Sequence, residues 1–117
     1  MKKLKILVLD CNPIIHIGLK SIFKNSMIFE VCAYLDNKDL LIETITEEKI
    51  DFIISEINLN KTSVLDIFKV LKKNKIDIPV VIFTSPSNEN KSLKFLKKGA
   101  SGSVSYTHLT LPTSYPV

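Results

Sequence analysis

The chain has 117 residues, which is enough for one compact domain but not comfortably for two, and 45% of them are hydrophobic. No apolar run approaches the ~20 residues that span a membrane. Asp10 interrupts the first apolar run before it could act as a signal peptide, so a cytoplasmic protein is expected. All sixteen basic residues are lysine. The net charge of +4 is therefore a poor indication of nucleic-acid binding, because arginine is the usual bidentate donor.

Strands and helices are predicted to alternate along the chain. Short, bulky apolar runs indicate strands, and apolar residues at helical spacing behind a capping residue indicate helices. Asn12 followed by Pro13 is typical of a helix start. The predicted strands are 4–9, 29–35, 51–56 and 78–83, with a fifth beginning near Gly102; helices are predicted to follow Asn12, Asp36 or Asn37, Ser63 and Asn88.

The second and third helices are each predicted to bury one face. In the second, Leu40, Leu41 and Ile45 should face inward. In the third, the inward residues should be Val64, Ile67, Phe68 and Leu71. The fourth helix, 89–98, should stop at Gly99.

This alternation predicts an α/β fold, a right-handed, doubly wound, parallel five-stranded sheet. The run from Phe52 to Ile54 is unbroken and apolar, as expected of a central strand that is buried on both faces. Residues 10–13, after the first strand, contain no glycine. A dinucleotide or P-loop site is therefore not expected.

Polar residues stand where the predicted strands end. Asp10 follows the first strand, Glu56 ends the third, and Thr84 and Ser85 follow the fourth. The carboxyl ends of parallel strands meet at one edge of a sheet, and ligands of such sheets bind there. Any one of these residues could be polar simply because the chain meets water where a strand ends. The set together indicates a shared site for a divalent cation or a phosphoryl group, because hard cations prefer oxygen ligands.

Two cysteines, Cys11 and Cys32, have no spacing typical of metal ligands. In a cytoplasmic chain both are expected to be reduced and buried. His16 is expected to be an exposed residue of the first helix.

Four stretches, in order and at the right spacing, resemble the receiver domain of two-component response regulators, in the group joined to helix-turn-helix output domains. They are 6–13 with Gly18-Leu19, 51–58, 78–85 and 98–102. Each stretch alone is weak evidence for the family. The resemblance covers residues 4 to about 102. It implies the flavodoxin-like receiver fold and transfer of a phosphoryl group from a histidine kinase to an aspartate, assisted by Mg²⁺.

Residue by residue, the resemblance assigns a site with two departures. Asp10 matches the first of two adjacent acids, and Cys11 stands where the second belongs. Glu56 occupies the phosphoacceptor position, and Thr84 matches the hydroxyl residue that acts as a switch. The small residue after the third strand, often glycine, falls near Val64. No catalytic residue is expected.

These departures predict an atypical receiver that is not phosphorylated by the ordinary route. Glutamate is one methylene longer than aspartate, and cysteine replaces a hard oxygen ligand with a soft thiol. Mg²⁺ binding through Asp10 and Glu56 should therefore be weak, if it occurs at all. Two interpretations of Glu56 stay open: a partial mimic of a phosphorylated residue, or a remnant in a decayed pocket.

The last residues, 104–117, differ in composition from the rest and resemble a translated sequencing adapter. Pro112 and Pro116 argue against the fifth helix that a receiver should have. We therefore expect an incomplete receiver domain over 1–103 and a non-native tail. The position of the family's strand-five lysine, held here by Tyr106, says nothing about the natural protein.

The leading hypothesis is a receiver that regulates a missing DNA-binding output domain. Its expected partners are a histidine kinase or another regulatory protein, with DNA contacted only through that output domain, no membrane, and a homodimer left open. One alternative is a receiver that is competent for phosphotransfer. Another is a flavodoxin-like binder of a small molecule, although the chain lacks a phosphate-cradling loop.

Overall fold

A five-stranded parallel sheet is the framework of the computed structural model, which describes residues 2–59, 61–84 and 102–105. The elements in chain order are β1 (Leu4–Leu9), α1 (Pro13–Ile22), β2 (Phe29–Leu35), α2 (Leu41–Glu48), β3 (Phe52–Ser55), β4 (Asn58–Leu59), β5 (Thr62–Ser63), α3 (Val64–Lys73), β6 (Val80–Thr84) and β7 (Gly102–Ser105). The strand order in the sheet is β2-β1-β3-β6-β7. The predicted parallel sheet is confirmed, and its fifth strand begins at Gly102 as expected.

The central strands β1 and β3 are apolar because helices cover both of their faces. Successive side chains of a strand point to opposite faces of the sheet. Leu7 and Ile53 pack in the larger core, which includes residues of α2 and α3. Ile6 and Ile54 pack in the smaller core, which contains residues of α1. Helices therefore lie on both faces, and the predicted doubly wound arrangement is confirmed.

Helix α1 begins as the sequence indicated. The Ile14 N–H donates to Oδ1 of Asn12 at 3.0 Å, which satisfies one of the first free N–H groups of the helix. Pro13 takes the first helical position, where its missing N–H costs nothing. The start of α1 is thus fixed three residues after Asp10.

The predicted start of α2 is wrong. Oδ1 of Asn37 accepts the N–H of Asp39 at 2.8 Å, so this side chain stabilises a turn that precedes the helix. The helix itself begins at Leu41, after Leu40, with no side-chain cap. Leu40, which was expected to face the core, is 58% exposed. Leu41 and Ile45 are buried as predicted.

The connection between β3 and α3 contains a structure that the sequence did not indicate. Asn58 pairs with Ser63 and Leu59 pairs with Thr62, which makes β4 and β5 a short antiparallel hairpin. Helix α3 then starts at Val64 after Ser63, as predicted, and it buries Val64, Ile67 and Leu71. Phe68 is half-buried and packs against the same core.

Part of the sequence-based prediction falls outside the described residues. The fourth helix at 89–98, Ser85, and the tail from Tyr106 onward belong to this part. Within the described residues, no helix is long and apolar enough to cross a membrane.

The two-sided burial of β3 predicts a large cost for truncating Ile53. Ile53→Ala should lower the free energy of unfolding by about 2–5 kcal/mol, since it removes fully buried methylene and methyl groups and leaves a cavity. Ile17→Ala is the matched control, because Ile17 is 64% exposed, and it should change stability by less than about 0.5 kcal/mol. Urea unfolding followed by circular dichroism measures both. Equal losses for the two variants would contradict a two-sided core around β3.

Candidate functional site

The carboxyl ends of β1 and β3 bring Asp10 and Glu56 into neighbouring positions. Leu9 pairs with Ser55 across the two strands. The Glu56 N–H donates to the Leu9 carbonyl at 2.9 Å. Each acid is the first residue after one member of that pair. We call this part of the sheet, with Asp10 and Glu56, the acidic edge; its two strand ends converge as predicted.

The end of β6 lies at the same edge. Ser55 of β3 pairs with Ile82, and Thr84, the last residue of β6, follows two positions later. Thr84 in turn pairs with Ser105 of β7. The backbone therefore brings Thr84 to the edge where Asp10 and Glu56 stand.

Asp10 is fixed by the turn that leads from β1 into α1. The residue is only 3% exposed. Its Oδ1 accepts the Asn12 N–H at 2.8 Å, and its own N–H donates to the Leu35 carbonyl at 3.1 Å. A buried carboxylate needs such donors, because desolvation of an unsatisfied charge is costly. The Asn12 N–H therefore orients the Asp10 carboxylate, and the contact to Leu35 holds the Asp10 backbone.

Glu56 is half-buried, and its side chain turns back to the main chain. Its Oε1 accepts the N–H of Ile57, the next residue, at 2.6 Å. The Ser55 hydroxyl donates to the Glu56 carbonyl at 2.8 Å. The sequence placed Glu56 at the edge but did not indicate this contact.

The structure adds Tyr34 to the neighbourhood of the acidic edge. Burial raises the pKa of its phenol, and the negative charges of Asp36 and Asp10 raise that pKa further. The Tyr34 ring stacks on His16 of α1, with ring centroids 4.9 Å apart and planes 12° from parallel. His16 is therefore half-buried, and the expectation of an exposed residue is wrong.

The sequence contained an indication that the end of β2 belongs to the site. Asp36 directly follows β2, as Asp10 follows β1, and Tyr34 precedes it by two residues. Asp36 thus meets the same strand-end criterion as Asp10, although its position before α2 also suggested a helix cap.

The donor set at the acidic edge fits Mg²⁺ poorly. Among the described residues, no group of three or more His, Cys, Asp and Glu side chains is placed to hold a metal ion. One oxygen of Asp10 and one of Glu56 each accept a backbone N–H. Cys11 offers a soft thiol where a hard cation prefers oxygen.

Two grooves in the described part of the chain lie away from the acidic edge. One, of about 580 Å³, is lined by residues of α3 and the start of β6. The other, of about 830 Å³, is lined mainly by residues of α1 and the first part of β2. Neither is lined by Asp10 or Glu56, so neither is part of the candidate site.

Comparison with known proteins gives one family. The sequence model described as the response regulator receiver domain matches residues 6–106. The chain is 29% identical over 100 residues to the nitrate/nitrite response regulator protein homolog of Haemophilus influenzae, a match that covers 86% of this chain and 48% of that protein. The chain thus spans about half the length of this curated relative.

Solved structures show the same fold. The N-terminal signal receiver domain of a two-component system response regulator from Bacteroides fragilis is 23% identical, with a TM-score of 0.78 over 91% of this chain and 86% of that one. The RcsB response regulator of Salmonella typhimurium is 14% identical, with a TM-score of 0.75 over 90% of this chain and 55% of that one. The family match confirms the resemblance to a receiver domain, and the solved structures confirm the fold.

The two cysteines differ in environment. Both are free, but Cys11 is exposed at the turn after β1, so the expectation that it is buried is wrong. Cys32 is half-buried, and burial, followed by a hydrogen bond to Glu30, raises the pKa of its thiol to about 11. The Sγ of Cys32 lies 3.3 Å from Oε1 of Glu30.

This difference predicts selective alkylation. The thiolate is the reactive form, so at pH 8 iodoacetamide should modify Cys11 well before Cys32. Reaction of Cys32 should accelerate as the pH rises towards about 11, because the raised pKa keeps its thiol protonated below that range. The variants Cys11→Ser and Cys32→Ser isolate each thiol for mass spectrometry. Equal rates for the two single-cysteine variants in the folded state at pH 8 would refute this prediction.

Proposed function

Because the chain belongs to the response regulator receiver domain family, we propose that it is an atypical receiver whose output is controlled without ordinary aspartyl phosphorylation. Receiver domains are generally non-enzymatic signalling domains, and we assign this chain no catalytic residue. The observation that carries the proposal is the position of Glu56, directly after β3 and beside Asp10. That is where the family resemblance places the phosphoaccepting aspartate.

A glutamate at this position is a poor phosphoacceptor for a geometric reason. Its carboxylate is one methylene farther from the main chain than that of aspartate. Phosphoryl transfer requires the attacking oxygen in line and close to the phosphorus, and a misplacement of ~1 Å can cost ~100-fold in rate. The backbone of β3 is held by β1 and β6 on either side, so it has little freedom to compensate.

The composition of the acidic edge supports the same proposal. Receiver domains typically bind Mg²⁺ at their acidic pocket. In this chain Asp10 and Glu56 would be the oxygen donors, and Cys11 takes the place of the second adjacent acid. A bound Mg²⁺ would neutralise charge on a phosphoryl group, and a weakly held ion would do so less effectively. We therefore propose weak Mg²⁺ binding together with slow phosphorylation.

The family also suggests the partners. Response regulators interact with histidine kinases and, through output domains, with DNA. For this chain we propose a histidine kinase or another regulatory protein as the direct partner, in the cytoplasm, with homodimer formation open to test. DNA contact is assigned to an output domain outside this chain, since the lysine-only basic set of the chain offers no arginine for base recognition.

The alternative is a receiver that remains competent for phosphotransfer. The observation in its favour is the acidic edge itself, where Asp10 is buried and held by two backbone contacts. In this alternative Asp10 stays in place, and the bound phosphodonor shifts to accommodate the longer side chain of Glu56. The two proposals differ in the outcome of one assay.

That assay is labelling by a small acyl phosphate in the presence of Mg²⁺. The unchanged chain should take up label at least ~100-fold more slowly than the double variant Cys11→Asp/Glu56→Asp, which restores the second adjacent acid and the shorter acceptor. In the double variant the label should be acid-stable and base-labile. Cys11→Asp alone is the matched control and should stay unlabelled, because it leaves Glu56 in place. Stoichiometric label on Glu56 of the unchanged chain would establish the alternative.

A further inference from the structure

Two hydrogen bonds of Ile57 connect Glu56 at the end of β3 to the first residue of α3. The Ile57 N–H donates to Oε1 of Glu56 at 2.6 Å. The Ile57 carbonyl accepts the N–H of Val64, the first residue of α3, at 2.8 Å. The Ile57 side chain is 2% exposed and belongs to the larger core. Ile57 is thus held through its N–H, its carbonyl and its side chain.

The rest of the connection from β3 to α3 forms the β4–β5 hairpin. The β4–β5 ladder joins Asn58 to Ser63 and Leu59 to Thr62. Leu59 and Thr62 are both buried, so the hairpin is anchored on the core. Lys61, at its turn, adopts a φ of 56°, a left-handed conformation that a non-glycine residue rarely takes. The connection is therefore held by the hydrogen bonds of Ile57 at the end of β3 and by the hairpin next to α3.

We propose that Glu56 is a positioning residue for this connection. Its carboxylate accepts the Ile57 N–H and thereby holds the β4–β5 hairpin in place next to α3. Hydrogen bonds to an ionised acceptor are among the stronger ones in proteins. The inference deepens the proposed function, because the connection leaves the sheet at the phosphoacceptor position, and it gives Glu56 a role other than phosphate acceptance.

The length of the glutamate side chain suits this role. An aspartate at position 56 would have to reach the same N–H through one methylene fewer. The ring closed by the hydrogen bond is then smaller, and the N–H···O angle bends away from linear, which weakens the bond. The residue change that hinders phosphorylation thus improves the contact to Ile57.

Amide hydrogen exchange of the full chain, measured by NMR, tests the inference at Ile57 and Val64. Glu56→Ala should accelerate exchange at both amides by about tenfold or more relative to the amides of β1, since an N–H that loses a charged acceptor opens more often. Glu56→Gln keeps an acceptor oxygen but loses the charge, so it should accelerate exchange at Ile57 clearly less than Glu56→Ala does. Glu47→Ala, on the exposed side of α2, is the control for loss of one negative charge and should have no effect at Ile57.

Unchanged exchange at Ile57 in Glu56→Ala, or equal acceleration in Glu56→Gln and Glu56→Ala, would overturn the inference. If Glu56→Ala does not fold, Glu56→Asp replaces it and should expose the Ile57 amide while Glu56→Gln protects it; the reverse order rejects the role. Exchange requires no phosphodonor. A failure here is therefore distinguishable from uptake of label in the phosphorylation assay, which would reject the proposed function instead.

Discussion

The burial of β1 and β3 between two layers of helices is the constraint on which the other features depend. Ile6 through Leu9 are all buried, with alternate side chains entering the core beneath α1 and the core beneath α2 and α3. A charged side chain within such a strand would be desolvated at a high cost. The first positions that can hold charge are therefore those at which the strands end. That is where Asp10 and Glu56 stand, and the pairing of Leu9 with Ser55 places them next to each other.

This constraint also explains which parts of the fold could be predicted from the sequence. Central strands produce unbroken apolar runs, so β1 and β3 were recognisable without any knowledge of their neighbours. The start of α2 was not, because asparagine stabilises turns and helix starts by the same side-chain contact, and Asn37 stabilises a turn. Leu40 is apolar and adjoins Leu41 but precedes the helix, so its exposure depends on where the turn ends. The β4–β5 hairpin was also missed, because strands of two residues are too short to show a period.

The candidate site, too, could be predicted only in part from the sequence. Topology alone brings Asp10, Glu56 and Thr84 to one edge, and the sequence was sufficient for that step. The direction of each side chain depends on local hydrogen bonds, which the sequence does not reveal. The bond from the Ile57 N–H to Glu56 is an example, and the electrostatic influence of Asp36 and Asp10 on Tyr34 likewise depends on where the side chains lie. The environments of the cysteines follow the same rule, since Cys11 sits in a turn and Cys32 in an edge strand.

The hydrogen bond of Glu56 bears on the two interpretations that the sequence left open. A phosphoryl group carries more charge and more acceptor oxygens than a carboxylate, so a glutamate can imitate it only in part. A carboxylate with one oxygen on the N–H of Ile57 directs that oxygen to its own main chain, which weakens the case for mimicry further. The opposite interpretation, a remnant in a decayed pocket, predicts a side chain without a specific contact. Under the role proposed for it, Glu56 fits neither description. A position that normally accepts a phosphoryl group would instead hold the β3–α3 connection through a carboxylate of the right length for its neighbour, and the conformation of that connection would no longer depend on a kinase.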